Sequence, residues 1–486
     1  MTRAKTALAT LLLLASGTVF ADSSADFRML LDEHWEWTLS NNPTLASSIG
    51  DRRFNDQWQD RSIAAYERRH ADRRDFLRRA YAIERSALSD ADQLNYELFR
   101  RQLQDEVDLH RFRGHLMPFS HQGGIQNLEN TTNRLRLVTA RDFDDWIARL
   151  AGLDALVDQH IQLADAGRKG GLVAPKVLMR RITAQLTLQL VDNPQESPFY
   201  RVFATLPDTI SSDDQARLRA AAIDTIDKTV LPAYRKLARY FEQKYLPVTR
   251  ESIGQSVLPD GQAWYELLAR SFTTTRMTPD DIHRIGLNEV KRIRGEMQSI
   301  IGELQFDGSF HDFLTFLRTD PQFYFDDPDA LYDAYLATSK RIDPELVNLF
   351  GTLPRMPYGV KPIPESIAPD TTTAYYSRPA ADGSRAGIYW VNLYRPEVRP
   401  KYEIEVLTVH EAMPGHHLQI ALQQELGNMP MFRRFQGFTA FVEGWGLYSE
   451  RLGYDLGLYE DPYSRFGQLT YDMWRAVRLV VDTGMH

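Results

Sequence analysis

Cysteine is absent from this sequence of 486 residues. Its absence excludes disulfide bonds, thiolate metal ligands and a cysteine nucleophile. Positive charge is outnumbered as well, with 57 Lys and Arg residues against 65 Asp and Glu residues and a net charge of -8. Because nucleic-acid binding depends on clustered positive charge, we expect no nucleic-acid partner. The sequence does contain 43% hydrophobic and 11% aromatic residues, which is enough for a large folded core.

Long apolar segments are also missing, except for a short one at the N-terminus. Residues 1–21 combine positive charges at Arg3 and Lys5 with an apolar stretch and small residues before Asp22. This pattern is typical of a secretory signal peptide that is cleaved before Asp22. A retained membrane anchor is the alternative, but the stretch is short for a membrane span and Gly17 interrupts it. We therefore predict a periplasmic or secreted protein that has no membrane contact after signal cleavage.

Helical periodicity dominates the rest of the chain, so the predicted fold class is mainly α. Six segments have helical patterning, which consists of apolar residues three and four positions apart or, in 59–85, of paired charges on a solvated helix face. These segments are 26–39, 59–85, 91–112, 142–166, 212–244 and 277–304. Prolines interrupt the pattern between about 350 and 400, where Gly387 to Asn392 has the composition of a strand. We interpret this stretch as a loop-and-strand insert within one catalytic body.

The segment that carries the most chemical information is HEAMPGHH at residues 410–417, which holds three of the 12 histidines. A His-Glu pair such as His410 and Glu411 begins a zincin motif, in which a second histidine follows one helical turn later. Both imidazoles of that motif face one zinc ion, and the glutamate polarises a water molecule. The segment therefore predicts a zinc site.

The spacing here is longer than in that motif, which leaves His416 and His417 as candidates for the second ligand. On a straight helix, His416 would be rotated about 120° from His410, and His417 would lie roughly 10 Å farther along the axis. Neither could share an ion with bonds of about 2 Å unless the helix is distorted. Pro414 removes a backbone hydrogen bond and Gly415 relaxes the chain, so a two-residue bulge would bring His416 to the ligand position. We favour His416 and assign His417 to substrate contact or to support of the site.

A third zinc ligand is often a glutamate on a later helix, and the segment 441–451 contains two. Glu443 lies in an apolar run, where an unpaired carboxylate would be costly and metal ligation would remove the cost. Glu450 stands next to Arg451, which favours a surface ion pair. We therefore favour Glu443. The alternative for the whole set is a helix with buried histidines whose hydrogen bonds are satisfied within the protein.

With these motifs, the sequence resembles a bacterial family called "domain of unknown function 885", a zincin-like group that is often exported or lipid-anchored. The match over residues 410–419 is highly specific, and further stretches support it over most of residues 258–486. The further stretches are 258–261 with 264–265, 278–283, 286–290, 387–392, 443–450 and 478–486. The residues before 250 match only in general helical character.

The resemblance implies a large, mostly α-helical metallopeptidase-like fold of the gluzincin type, with a small β element lining a cleft. It is similar in these parts to thimet-type oligopeptidases, thermostable carboxypeptidases and dipeptidyl peptidase III. Carried over to this chain, it implies that His410, His416 and Glu443 bind Zn²⁺. It also implies that Glu411 is the general base, and that the strand from Gly387 to Asn392 is a sheet edge that pairs with the substrate backbone.

The chain is therefore expected to have three parts: a signal peptide 1–21, an N-terminal helical region 22–250 and a zincin-like catalytic region 251–486. The family pattern continues beyond the position of His486, so we expect the catalytic region to be truncated at its C-terminus. In related zincins, a late Tyr or His helps to stabilise the oxyanion. His486 and Tyr448 are the local substitutes for that catalytic group.

The predicted function is that of an exported zinc metallopeptidase that hydrolyses peptide bonds in short peptides. A peptide substrate is the expected partner, and the sequence leaves the oligomeric state open. One alternative is a non-catalytic periplasmic binding or scaffold protein that retains the zincin fold. Another is a metal-dependent amidase that acts on a non-peptide bond, because the zinc chemistry would be the same.

Overall fold

The computed structural model describes residues 23–365 and 367–486. The predicted signal peptide, residues 1–21, lies outside the described residues. The described chain is mainly α-helical and contains one small three-stranded sheet, which confirms the predicted fold class at that level. None of its helices is long and apolar enough to cross a membrane.

Ten α-helices form the described N-terminal region. Seven of them lie in the predicted segments, and three, Pro43–Ser48, Lys176–Thr187 and Arg201–Ala204, lie outside those segments. Most of the predicted segments form one helix each. Segment 142–166 is an exception, because Gly152 ends one helix and begins the next. Stretch 212–244 is continuous, since π-helical turns at Ile226–Val230 and Phe241–Tyr245 join its α-helical parts. The helices are α1 Ser23–Asn41, α2 Pro43–Ser48, α3 Ile63–Tyr81, α4 Asp90–His110, α5 Ala140–Ala151, α6 Leu153–Lys169, α7 Lys176–Thr187, α8 Arg201–Ala204, α9 Ser212–Thr225 and α10 Leu231–Tyr240.

Ten more α-helices form the described remainder of the chain. They are α11 Gly261–Thr273, α12 Pro279–Glu303, α13 Phe310–Thr319, α14 Pro328–Ile342, α15 Leu346–Leu349, α16 Ile404–Glu411, α17 His416–Glu425, α18 Met431–Phe435, α19 Thr439–Leu452 and α20 Pro462–Met485. α12 begins with a capping box, in which Thr278 and Asp281 bond each other's backbone N–H groups. α12 then packs along α20, where Gly286 leaves room for Leu479 and Val480.

The sheet consists of β1 Tyr358–Pro362, β2 Ala374–Ser377 and β3 Gly387–Val391, in the order β1–β3–β2. β3 pairs in parallel with β1 and antiparallel with β2. The predicted strand is therefore present as β3, but the expectation that it forms a sheet edge is wrong. β3 is hydrogen-bonded on both sides, so the edges of this sheet belong to β1 and β2.

Two hydrophobic clusters show what the sheet and the later helices pack against. Tyr389 and Val391 of β3 pack with Leu407 of α16, so the sheet lies against that helix. In a second cluster, Phe432 and Phe435 of α18 pack with residues of α1, α3 and α4. The N-terminal region and the rest of the chain thus share a core.

Candidate metal centre

The helix that carries His410 ends one residue later, and the second histidine lies on a new helix. Residues 412–415 leave the helical path, because Pro414 has no N–H group for the hydrogen-bond ladder. Gly415 is required there, since a side chain at this position would overlap the carbonyl oxygen of His410. α17 begins directly afterwards at His416. The predicted distortion is therefore a break between two helices rather than a bulge within one.

Helix α19 crosses this break and packs against it. The indole Nε1 of Trp445 donates a hydrogen bond to the carbonyl oxygen of Pro414 at 2.8 Å. One residue later, Gly446 lies against the imidazole of His410, and a Cβ atom at Gly446 would be 2.5 Å from the ring carbon Cε1. This close approach brings Glu443, near the start of the same helix, up to the histidine.

Three side chains converge at this crossing. Oε2 of Glu443 lies 3.7 Å from Nε2 of His410 and 3.8 Å from Nε2 of His416. All three ligand atoms lie within 4.8 Å of one another. In a tetrahedral zinc site with bonds of about 2.1 Å, ligand atoms are about 3.4 Å apart, so small side-chain movements would close this set on one ion. Two imidazole nitrogens and one carboxylate oxygen also form a donor set known from hydrolytic zinc sites, which leaves a fourth position open.

A buried ion pair fixes the orientation of His410. The side chain of Glu450 is fully buried, and its Oε1 lies 2.8 Å from Nδ1 of His410. Arg475 of α20 contacts both carboxylate oxygens of Glu450, at 2.5 and 3.1 Å. Nη2 of Arg475 also lies 3.1 Å from Nδ1 of His410. Because a carboxylate accepts and does not donate, a proton on Nδ1 satisfies Glu450 and would leave Nε2 as the ligand atom of the ring. A carboxylate on the far nitrogen of a metal-binding histidine is the usual second-sphere support of such sites.

The charges of the site are strongly coupled. Burial acts to lower the pKa of His410, but the carboxylates of Glu443 and Glu450 outweigh this effect and raise the pKa to about 9. Burial lowers the pKa of His416, and the interaction with His410 lowers the pKa of Glu443. Burial raises the pKa of Glu411 to about 7. A positive charge is thus stabilised between carboxylates, in the place where a metal cation would supply it.

The second histidine of the pair faces away from the three ligand atoms. The hydroxyl of Tyr376 in β2 donates to Nδ1 of His417 at 2.8 Å, and Nε2 of His417 donates to the carbonyl oxygen of Met356 at 3.0 Å. His417 is only 1% exposed. Its position fits the predicted supporting role and leaves no surface for substrate contact. The backbone of Tyr376 acts to lower the pKa of Glu411, and β2 contacts α16, the helix that carries this glutamate.

The comparison with known families covers almost the whole described chain. The family described as "Bacterial protein of unknown function (DUF885)" matches residues 43–486. The chain belongs to the DUF885 family. A "putative lipoprotein" from Colwellia psychrerythraea, whose crystal structure is known, is 27% identical to this DUF885 chain. The match covers 96% of this chain and 84% of that chain, with a TM-score of 0.87.

A second solved structure shares the fold of this DUF885 chain. It is that of a "putative lipoprotein of unknown function" from Shewanella oneidensis, with 17% identity and a TM-score of 0.65. The match covers 95% of this chain and 83% of that chain. No curated protein matches the chain.

In this DUF885 protein, two of the predicted catalytic positions lie away from the cluster. Nδ1 of His486 accepts a hydrogen bond from the backbone N–H of Gln255 at 3.0 Å. His486 follows Arg475 by eleven residues on α20, a distance of about 16 Å along the axis. Tyr448 follows Glu443 by five residues on α19, so it is rotated by about 140° around the helix axis from that ligand. The structure therefore brings together the predicted metal ligands but does not bring these two residues to them.

Two arguments about the glutamates of this DUF885 chain were wrong in their physical basis. The side chain of Glu443 is 58% exposed, so burial is not what singles it out. Glu450 forms a buried ion pair with Arg475 and not a surface pair with Arg451. Sequence reasoning missed Arg475 altogether. Its position in the apolar run from Trp474 to Val477 was the one available signal, because a cation there needs a partner.

Proposed function

We propose that this DUF885 protein is an exported zinc-dependent hydrolase that cleaves peptide bonds. The observation that carries the proposal is the convergence of His410, His416 and Glu443 beside Glu411. Bound zinc supplies Lewis acidity, which makes water nucleophilic near neutral pH and polarises a carbonyl group. The family and the solved relatives name no activity, so the proposal rests on the geometry and chemistry of these four side chains.

Glu411 is the residue that would move the proton. It follows His410 directly, and it lies where His410, Glu443 and Arg475 act on its charge. A carboxylate in this place can accept a proton from the attacking water and pass it to the leaving amine. The backbone of Tyr376 in β2 acts to lower the pKa of this carboxylate, which favours the ionised form that accepts a proton.

The edge of β2 is the part of the sheet that would align a peptide. The N–H of Asn392 donates to the carbonyl oxygen of Thr373 at 3.0 Å, so these residues form a hydrogen-bonded pair of the antiparallel ladder. Such pairs alternate along the strands, and the backbone groups of Ala374 and Tyr376 therefore point away from β3. Of these two residues Ala374 is buried and Tyr376 is partly exposed, so the backbone of Tyr376 is the part that would pair with an extended substrate.

The test is metal content and peptide hydrolysis, measured on one set of purified proteins. We expect about one zinc per chain in the unmodified protein and in Glu411→Gln, because Glu411 is not a ligand. Glu411→Gln should be inactive on a mixture of short peptides, and Glu443→Gln should lose both zinc and activity. Glu460→Gln, a change of an exposed glutamate outside the cluster, is the matched control and should retain both.

Three results would contradict the proposal. The first is zinc well below one equivalent in the unmodified protein under chelator-free conditions. The second is retained activity in Glu411→Gln, which would remove the assigned base. The third is bound zinc without cleavage of any peptide, which would leave a metal-binding protein and exclude a peptidase.

A further inference from the structure

Two arginines follow the C-terminal end of β2, and the charge of a third acts on both of them. Arg378 and Arg385 lie in the connection from β2 to β3, and both are partly buried. Arg134 ends the 3₁₀-helical segment Ile125–Arg134 and is exposed. A hydrogen bond of 2.9 Å from Nη1 of Arg385 to the carbonyl oxygen of Arg378 ties two of them together.

These guanidinium groups are bonded only to uncharged acceptors. Nη1 of Arg378 donates to the carbonyl oxygen of Phe435 at 2.8 Å, and Nη2 of Arg385 donates to that of Ser48 at 3.1 Å. Among the side chains that the structure describes, no carboxylate forms an ion pair with any of the three arginines. Each guanidinium has five N–H donors, so most of those on Arg378 and Arg385 remain for another acceptor.

The cluster is electrostatically unfavourable as it stands. Burial lowers the pKa of Arg378 and of Arg385, and the positive charge of Arg134 lowers both further. Asp382 acts on Arg385 in the opposite sense, but its Oδ1 is already bonded to the backbone and hydroxyl of Ser384. Buried charges are normally paired, and an anion bound between the three arginines would supply the missing partner.

We propose that Arg134, Arg378 and Arg385 form a subsite that binds a carboxylate of the peptide substrate. This proposal rests on the proposed peptidase function, because it assigns a substrate class to the same site. Arg378 follows Tyr376 by two residues, a distance of about 7 Å along a strand, which is about two residues of an extended peptide. The carboxylate is therefore that of an acidic side chain or of a free C-terminus near the cleaved bond.

The experiment measures binding in the absence of turnover. The full chain carrying Glu411→Gln is titrated calorimetrically with three kinds of N-acetylated alanine pentapeptide. The first contains one glutamate and has an amidated C-terminus, with the glutamate placed at each position in turn. The second contains glutamine in place of glutamate and has a free C-terminal carboxylate. The third contains glutamine and is amidated, so it carries no carboxylate.

A second protein tests the arginines themselves. Arg134→Gln is added to the same chain, because Arg134 is exposed and its removal does not disturb a described hydrogen bond. Arg239→Gln makes the same charge change on an exposed arginine of α10 and is the matched control. All titrations are repeated in 0.5 M NaCl, because binding to the partly exposed cluster should weaken with salt.

We expect at least one carboxylate-bearing peptide to bind about tenfold more tightly than the neutral peptide. Arg134→Gln should weaken that peptide about threefold to tenfold and leave the neutral peptide unchanged, whereas Arg239→Gln should change neither. The peptide that responds identifies the source of the carboxylate. Equal binding of all peptides, absence of binding, or equal effects of the two arginine changes would overturn the proposal.

The outcomes separate this proposal from the peptidase proposal. Selective binding that depends on Arg134 would support the subsite even in a protein that cleaves nothing. Conversely, zinc-dependent cleavage of charged and neutral peptides at equal rates would support the proposed function and overturn the subsite alone.

Discussion

A methyl group at Gly446 should disrupt the site from inside its own helix. A Cβ atom there would lie 2.5 Å from Cε1 of His410 and 2.9 Å from both ring nitrogens. Real Cβ atoms do not approach other heavy atoms this closely. The ring cannot simply move aside, because its Nδ1 is held by the buried carboxylate of Glu450. Gly446→Ala should therefore displace the imidazole or push α19 away from α16.

The magnitude follows from two opposing effects. Replacing glycine by alanine inside a helix stabilises it by about 0.5–1 kcal/mol, and overpacking a core costs about 1–3 kcal/mol. Gly444 lies one residue after Glu443 in the same helix, and a Cβ atom there would have no neighbour within 4 Å. Gly444→Ala should therefore show only the stabilisation that alanine gives to a helix. The two variants should differ in free energy of unfolding by about 1–3 kcal/mol, since the gain cancels in the comparison.

The assay has two readouts, of which only one involves metal. Urea unfolding of chelator-treated protein, followed by circular dichroism, measures the clash without reference to zinc. Zinc affinity, measured by competition with a chromophoric chelator, should be about 10- to 100-fold weaker in Gly446→Ala than in Gly444→Ala. Equal stability and equal zinc affinity of the two variants would refute the packing of Gly446 on His410. A stability difference without an affinity difference would refute the assignment of His410 as a ligand.

Two further predictions concern buried carboxylates. Glu450→Gln removes the charge that faces His410 and Arg475, and zinc affinity should fall about 10- to 100-fold with little change of the fold by circular dichroism. Burial raises the pKa of Glu129 from 4.5 to about 7, so the unfolded chain releases this proton first and stability falls as pH rises between these values. The free energy of unfolding in urea should therefore fall between pH 5 and pH 8 by about 2–3 kcal/mol less in Glu129→Gln than in the unmodified protein.

The break after Glu411 could be predicted from the sequence because its causes are local. Proline removes a backbone hydrogen bond and glycine relaxes the chain wherever they occur. On a straight helix neither His416 nor His417 could share an ion with His410, so a distortion had to lie between them. The same local rules predicted many of the helices, including the one in segment 277–304. They did not predict the break at Gly152, because a single glycine within an amphipathic pattern is tolerated in many helices.

The supports of the site could not be predicted, because they depend on long-range pairing. Glu450 meets Arg475 only when α19 and α20 both pack against α16, and the adjacent Arg451 offered a closer partner in sequence. The central position of β3 depends on β1 and β2, two strands of five and four residues. Such short strands carry little pattern of their own. Sequence reasoning therefore identified the residues that carry chemistry more readily than the residues that hold them.

The two adjacent histidines at the start of α17 show how ligands and sheet are held in one frame. His416 turns its Nε2 toward Glu443, and His417 contacts the sheet. Tyr376 of β2 donates to one ring nitrogen of His417, and the carbonyl of Met356, just before β1, accepts from the other. Gly387 of β3 lies so close that a side chain there would reach His417 and the Tyr376 hydroxyl. All three strands therefore meet a residue covalently joined to His416, and the edge that is proposed to align a peptide cannot shift without shifting the proposed ligand.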